Sequence, residues 1–98
     1  MATIDLRRNH SLARDEVRKR AEDLAREMEA KLGIRWRWEA DTIKFDTPAG
    51  AAKGVTGEVQ VGATEVRVLI DLPLLLRAIK GTVEGKVKAK LEAAIGAA

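Results

Sequence analysis

The stretch IRWRWEADTIKFDT, residues 34–47, decides the fold, because two alternating patterns meet in it. Apolar and polar residues alternate through both halves, and the apolar members are Ile34, Trp36, Trp38, Ile43 and Phe45. A period of two is typical of a half-buried strand, and a short polar turn between two such runs is typical of a hairpin. We therefore predict antiparallel strands over residues 34–40 and 42–47, each with one apolar face.

The same alternation appears on both sides of this hairpin. It predicts further strands over residues 3–8, 55–61 and 64–71, with a tight turn between the last two. Gly57 falls on the apolar face of its strand. It therefore marks either a bulge or a place where a large side chain overlies the strand.

Residues 11–33 have the period of an amphipathic helix, with apolar residues at intervals of three and four and charged residues opposite. Ser11 can cap the start of this helix, and Gly33 is suited to its end. The predicted buried stripe consists of Val17, Ala21, Leu24, Met28 and Leu32, with Ala25 alongside.

The last part of the chain is helical, but its apolar residues recur every four positions without an intervening three, so they drift in phase. We expect a short helix that starts at Pro73 and ends at Gly81, followed by a second helix capped by Thr82. A continuous bent helix is the alternative.

The element order is β-α-β-β-β-β-α, and it predicts an α+β fold. We expect a single two-layer domain over residues 1–98, with a mostly antiparallel five-stranded sheet. Because every strand has one apolar and one polar face, the helices should pack on one side only. Ninety-eight residues are enough for one modest core.

The composition limits the chemistry. The chain has no cysteine, no tyrosine and a single histidine, His10, for which a structural role at the strand–helix junction is the simpler interpretation. One histidine with scattered carboxylates matches no common zinc pattern. We therefore expect no catalytic residues, no metal and no cofactor, and we expect that the protein is not an enzyme.

The sequence also suggests where the protein acts. The first residues are charged and lack the apolar core of a secretory signal, and no apolar run approaches the roughly 20 residues of a transmembrane helix. The absence of cysteine fits a reducing compartment. We therefore expect a cytoplasmic protein without a transmembrane segment.

Trp36 and Trp38 are the only tryptophans, and they point in the same direction from their strand. The simpler interpretation is that the two rings fill the core between sheet and helix. The alternative is that they form the wall of a site for a small acyl ligand.

The stretch DLPLLLRAIKG, residues 71–81, holds more leucines than one helix face needs. At 100° per residue, one predicted face holds Leu72, Leu75, Leu76 and Ile79. Leu74 lies opposite that face, and Leu69 lies on the polar face of its strand. Surplus leucines beside basic residues are typical of a docking or dimerisation surface. The predicted patch consists of Leu69, Leu74, Arg77 and Lys80.

The net charge of +3 equals that of residues 77–98 alone. A basic helix end can contact phosphate or an anionic surface. The simpler alternative is a solvated face whose lysines complement the helix dipole.

Three segments together resemble the small bacterial polyhydroxyalkanoic acid system family, whose members are also described as polyhydroxyalkanoate granule-region proteins. These segments are NHSL at 9–12, GIRWRWEADTIKF at 33–45 and GVTGEVQVGATEVRVLIDLPLLLRAIKGTVEGKV at 54–87. The resemblance covers about residues 4–95. It implies a bacterial cytoplasmic protein tied to polyester storage granules, and it implies no established enzyme activity.

The expected function is that of a non-enzymatic accessory protein that associates with granules or granule proteins. The expected partners are the granule surface, granule proteins or a second copy of the chain. Two alternatives stay open. One is a nucleic-acid-binding regulator that uses the basic C-terminal helix, although Arg35 and Arg37 lie opposite the tryptophans, unlike in RNA-binding strands. The other is a small acyl-ligand-binding module.

Overall fold

Five antiparallel strands and two helices make up the fold in a computed structural model that describes residues 2–50 and 52–96. The α+β prediction is confirmed, and each predicted strand is present to within one residue at either end. The elements are β1 (Ile4–Asn9), α1 (Arg14–Leu32), β2 (Arg35–Glu39), β3 (Thr42–Asp46), β4 (Thr56–Val61), β5 (Glu65–Asp71), a 3-10 helix (Leu74–Ile79), α2 (Lys80–Leu91) and a short π-helical segment (Glu92–Gly96).

The sheet has the order β1-β5-β4-β3-β2, so the first strand of the chain pairs with the last. All neighbours are antiparallel. This order leaves β1 and β2 as the two edges. It results from three consecutive connections between neighbouring strands, β2–β3, β3–β4 and β4–β5, and β1 is added to the far side of β5.

The register separates an apolar face from a polar one. One row of paired residues across the apolar face contains Trp38, Ile43, Val59, Val68 and Leu6. The adjacent row on the opposite face contains Arg37, Lys44, Glu58, Leu69 and Asp5. Helices α1 and α2 and the π-helical segment cover the apolar face, as the alternation predicts, and contribute Val17, Ala21, Ala25, Leu91 and Ile95 to the core.

Gly57 is explained by an overlying side chain and not by a bulge, because pairing with Phe45 and Ile70 continues through it. A Cβ atom built on Gly57 would lie 2.8 Å from Cζ of Phe45 and 2.4 Å from the carbonyl oxygen of Leu69. The Phe45 ring therefore occupies the space that a side chain at residue 57 would fill.

Helix α1 begins later than predicted. Its N-cap residue is Ala13, which makes no side-chain capping bond, so the prediction that Ser11 caps the helix is wrong. The predicted end is confirmed, because Gly33 adopts a φ of 72° and its N–H donates to the Glu29 carbonyl. Leu32, the last member of the predicted stripe, is 44% exposed because it lies in the final turn, beyond the core.

The C-terminal helical part changes character, but not at Gly81. Gly81 and Thr82 lie inside α2, so the predicted end and cap at these two residues are wrong. The change occurs between Ile79 and Lys80, where a 3-10 helix passes directly into an α-helix. Within the described part of the chain, neither α1 nor α2 is long and apolar enough to cross a membrane.

Candidate docking surface

The 3-10 helix exposes most of its apolar side chains. Leu74 and Leu75 are 79% and 89% exposed, and Ile79 is 48% exposed. We refer to Leu74 and Leu75 as the apolar tip. Within this segment the sequence predicts only Leu74 as surplus, and the expectation that Leu75 shares the buried face of Leu72 and Leu76 is wrong.

The helix type explains this difference. In a 3-10 helix successive residues are 120° apart, so residues i and i+3 lie one above the other. Leu74 and Leu75 therefore point in directions separate from that of Leu76, which packs against the core. The Leu76 N–H donates to the Pro73 carbonyl at 2.9 Å, which is the 3-10 pattern. A helical wheel drawn at 120° after Pro73 is the signal that identifies Leu75.

Basic residues flank the apolar tip. Arg77 lies one turn after Leu74, and its Nε donates to the Leu72 carbonyl oxygen at 3.1 Å. This bond anchors the guanidinium group beside the leucines while the residue stays exposed. Lys80 begins α2 and is exposed as well. Three members of the predicted patch, Leu74, Arg77 and Lys80, thus lie on one continuous segment.

The apolar tip begins at one end of the sheet. The strands β2 and β4 start at this end, and β3 and β5 finish there, as the pairing of Arg35 with Asp46 and of Thr56 with Asp71 shows. The end of α1 reaches the same place, which brings the partly exposed Leu32 to this end of the molecule. The turns between β2 and β3 and between β4 and β5 lie at the opposite end.

Leu69, the fourth member of the predicted patch, lies elsewhere. It is half-buried on the polar face of the sheet, directly between Asp5 and Glu58 in the register. The structure therefore divides the predicted patch between a helical segment and a sheet face. A contribution of Leu69 to docking stays a prediction.

The polar face of the sheet carries paired charges. Arg67 forms two hydrogen bonds with Asp5, at 3.0 and 2.7 Å, and Arg35 forms two with Asp46, at 3.3 and 2.6 Å. These arginines lower the pKa of the Asp5 and Asp46 carboxyl groups by donating hydrogen bonds to them. Charges that are neutralised in this way do not gather into a basic surface.

Trp36 and Trp38, the predicted ligand wall, face α1. The indole N–H of Trp38 donates to Glu22 at 2.9 Å, and that of Trp36 donates to Glu29 at 2.7 Å. The Arg18 guanidinium lies 4.0 Å from the centre of the Trp38 ring. Both rings pack against the core and attach α1 to the edge strand β2. A ligand between the rings and α1 would have to displace these side chains.

A shallow cleft of about 430 Å³ lies between α1 and the C-terminal helical segments. Its central charge, Glu27, accepts hydrogen bonds from Lys31 at 2.8 Å and from Lys90 at 2.6 Å. These two bonds lower the pKa of Glu27 to about 2. The cleft is lined by Arg20, Asp23, Leu24, Glu27, Lys90, Ala93 and Ala94.

His10 links two parts of the fold. Its Nδ1 accepts the Leu12 N–H at 3.2 Å, which leaves the proton on Nε2, and Nε2 donates to the Gly62 carbonyl at 3.1 Å. The two bonds thus tie the segment that precedes α1 to the β4–β5 turn. Over residues 2–50 and 52–96, no three histidine or carboxylate residues come together in a way that could hold a metal ion.

The exposed leucines of the apolar tip are therefore the surface feature that packing within the described residues does not explain. Comparison with known proteins indicates the family to which the chain belongs. Neither the curated proteins nor the solved structures gave a match. A family model described as "Putative polyhydroxyalkanoic acid system protein (PHA_gran_rgn)" matches residues 4–95, which is nearly the whole chain. The chain therefore belongs to the polyhydroxyalkanoic acid system protein family.

Proposed function

We propose that this protein is a non-enzymatic accessory protein of the polyhydroxyalkanoate storage system that associates with granules or granule proteins through the apolar tip. The observation that carries the proposal is the exposure of Leu74 and Leu75 on a segment that also holds Arg77 and Lys80. Exposed apolar side chains in a cluster mark interaction sites more often than isolated ones do.

Two further observations support the proposal. Family membership connects the chain with the polyhydroxyalkanoic acid system. The ring nitrogens of His10, the single histidine, both bond to backbone groups, so a structural role accounts for this side chain. Association with a surface needs only exposed side chains of suitable chemistry.

The experiment places a fluorescent tag on the protein in polyester-accumulating bacterial cells and follows its position relative to the granules. Leu74→Asp combined with Leu75→Asp should leave the fold intact, because both side chains lie in solvent, and should abolish recruitment. Leu69→Asp forms a separate arm that tests the fourth residue of the predicted patch.

A matched control adds two carboxylates at the opposite end of the molecule. Ala13→Asp places a favourable residue at the N-cap of α1, and Ala63→Asp lies in the β4–β5 turn. This control should follow the granules like the unaltered protein. A diffuse signal from the unaltered protein, or recruitment that survives both tip substitutions, would contradict the proposal.

A further inference from the structure

The segment that carries the apolar tip also carries the whole surplus of positive charge. Residues 72–88 have a net charge of +3, which equals the net charge of the chain, so the remainder of the molecule is neutral. The charged residues of this segment are Arg77, Lys80, Lys86 and Lys88, against Glu84. The molecule is therefore polarised, with a basic and apolar segment on a neutral body.

Exposure keeps this charge available. Arg77, Lys80, Lys86 and Lys88 are all exposed, whereas Lys90, further along the same helix, is held by Glu27. A partner that complements this segment must offer apolar material to the leucines and negative charge to the basic residues that follow them, Arg77 and Lys80 beside the leucines and Lys86 and Lys88 further along α2. An anionic lipid layer has both, because its acyl chains lie directly beneath its charged headgroups.

The direction of the leucines separates a lipid layer from a protein groove. Leu74 and Leu75 are about 120° apart around the 3-10 axis, so they do not form the single ridge that a helix presents to a groove. A fluid layer accepts side chains that diverge. Beyond the tip, Cβ atoms built on Gly81 and Gly85 would meet nothing within 4 Å, so the first turns of α2 also lie open.

We propose that the apolar tip inserts into an anionic phospholipid layer while Arg77, Lys80, Lys86 and Lys88 contact its headgroups. This inference rests on the proposed function only in naming the partner of the same surface. It identifies the granule-facing contact as lipid, and not as polyester or a protein.

The test is co-sedimentation of the purified full-length protein with vesicles. One set contains equal parts of phosphatidylglycerol and phosphatidylcholine, and the other contains phosphatidylcholine alone. We expect binding to the anionic set that weakens as salt increases, because screening reduces attraction between exposed charges. Binding to the neutral set should be at least about 100-fold weaker, since one basic residue near such a layer contributes about five-fold.

Paired variants separate the two components of the contact. Leu74→Gln with Leu75→Gln should weaken binding about ten-fold or more without altering charge. Lys80→Glu with Lys86→Glu should weaken it at least about 25-fold and flatten its dependence on salt. The control is Lys19→Glu, an exposed site on α1, which should change binding by less than about two-fold. Circular dichroism verifies the fold of each variant.

Equal binding to both vesicle sets, no binding at low salt, or variants that bind like the unaltered protein would overturn the inference. A concentration-dependent dimer that disappears with Leu74→Gln and Leu75→Gln, without vesicle binding, would do the same and identify a second copy as the partner. Granule recruitment without vesicle binding refutes the lipid contact alone. Vesicle binding through the tip without granule recruitment refutes the proposed function alone.

Discussion

Substitution of alanine for glycine should have opposite effects at two positions of this protein. At Gly57 the new Cβ would lie 2.4 Å from the Leu69 carbonyl oxygen and 2.8 Å from Phe45 Cζ. Both distances are far below van der Waals contact, and one of the atoms belongs to the backbone of the neighbouring strand. Strand β4 or the Phe45 ring must therefore shift.

Overpacking of this kind costs about 1–3 kcal/mol. For a domain of this size, 1 kcal/mol changes Tm by about 4–8 °C, so a central cost of about 2 kcal/mol lowers Tm by about 8–16 °C. At Gly85, by contrast, an added Cβ meets nothing within 4 Å, and the residue lies in the interior of α2. Alanine there should raise stability by about 0.5–1 kcal/mol, because glycine loses more backbone entropy on forming a helix.

Thermal unfolding followed by circular dichroism measures both variants under identical conditions. Combining Gly57→Ala with Phe45→Leu should recover only part of the loss, since the Leu69 carbonyl remains in place. A Gly57→Ala variant that melts at or above the temperature of the unaltered protein, or a Gly85→Ala variant that melts below it, would contradict these expectations.

Three further changes test other contacts. The pKa of Glu27 is lowered from 4.5 to about 2, so this residue contributes stability that is present above pH 4.5 and is lost as the pH falls towards 2. Glu27→Gln should therefore flatten the acid limb, which is the fall in the free energy of unfolding, measured with urea, between pH 4.5 and 2. Trp38→Phe removes the indole donor that lowers the pKa of Glu22, so NMR titration should find that pKa raised towards its ordinary value. Thr47→Val removes a buried hydroxyl without a hydrogen-bond partner and should raise Tm by about 4–8 °C.

Each of these three changes has a clear contrary result. Glu16→Gln, which alters a carboxylate that pairs with Arg20 along the same helix, is the control for Glu27. Equal acid limbs for the two variants would count against the bond between Glu27 of α1 and Lys90 of α2. A Glu22 titration that does not move would show that the Trp38 bond is absent in solution. A lower Tm for Thr47→Val would mean that the hydroxyl has a partner, such as a bound water.

Much of the architecture follows from local pattern. Alternation in five short runs determines which side of each strand is apolar, and a sheet with one apolar face must be covered on that face. The end of α1 is equally local, because Gly33 adopts a positive φ that other residues rarely adopt. At Gly57 the sequence predicts either a bulge or an overlying side chain, and the position of the Phe45 ring shows that it is the side chain.

The candidate docking surface, by contrast, could be identified completely only from the tertiary structure. The sequence by itself determined the excess of leucines in residues 71–81 and the basic residues around them. Only the structure decided that Leu75 is exposed, because the exit from β5 after Leu72 winds as a 3-10 helix and passes into α2 at Lys80. Helix type depends on how a segment leaves the sheet and what packs against it. A one-dimensional pattern records which residues are apolar, but burial depends on the neighbours that the rest of the chain supplies.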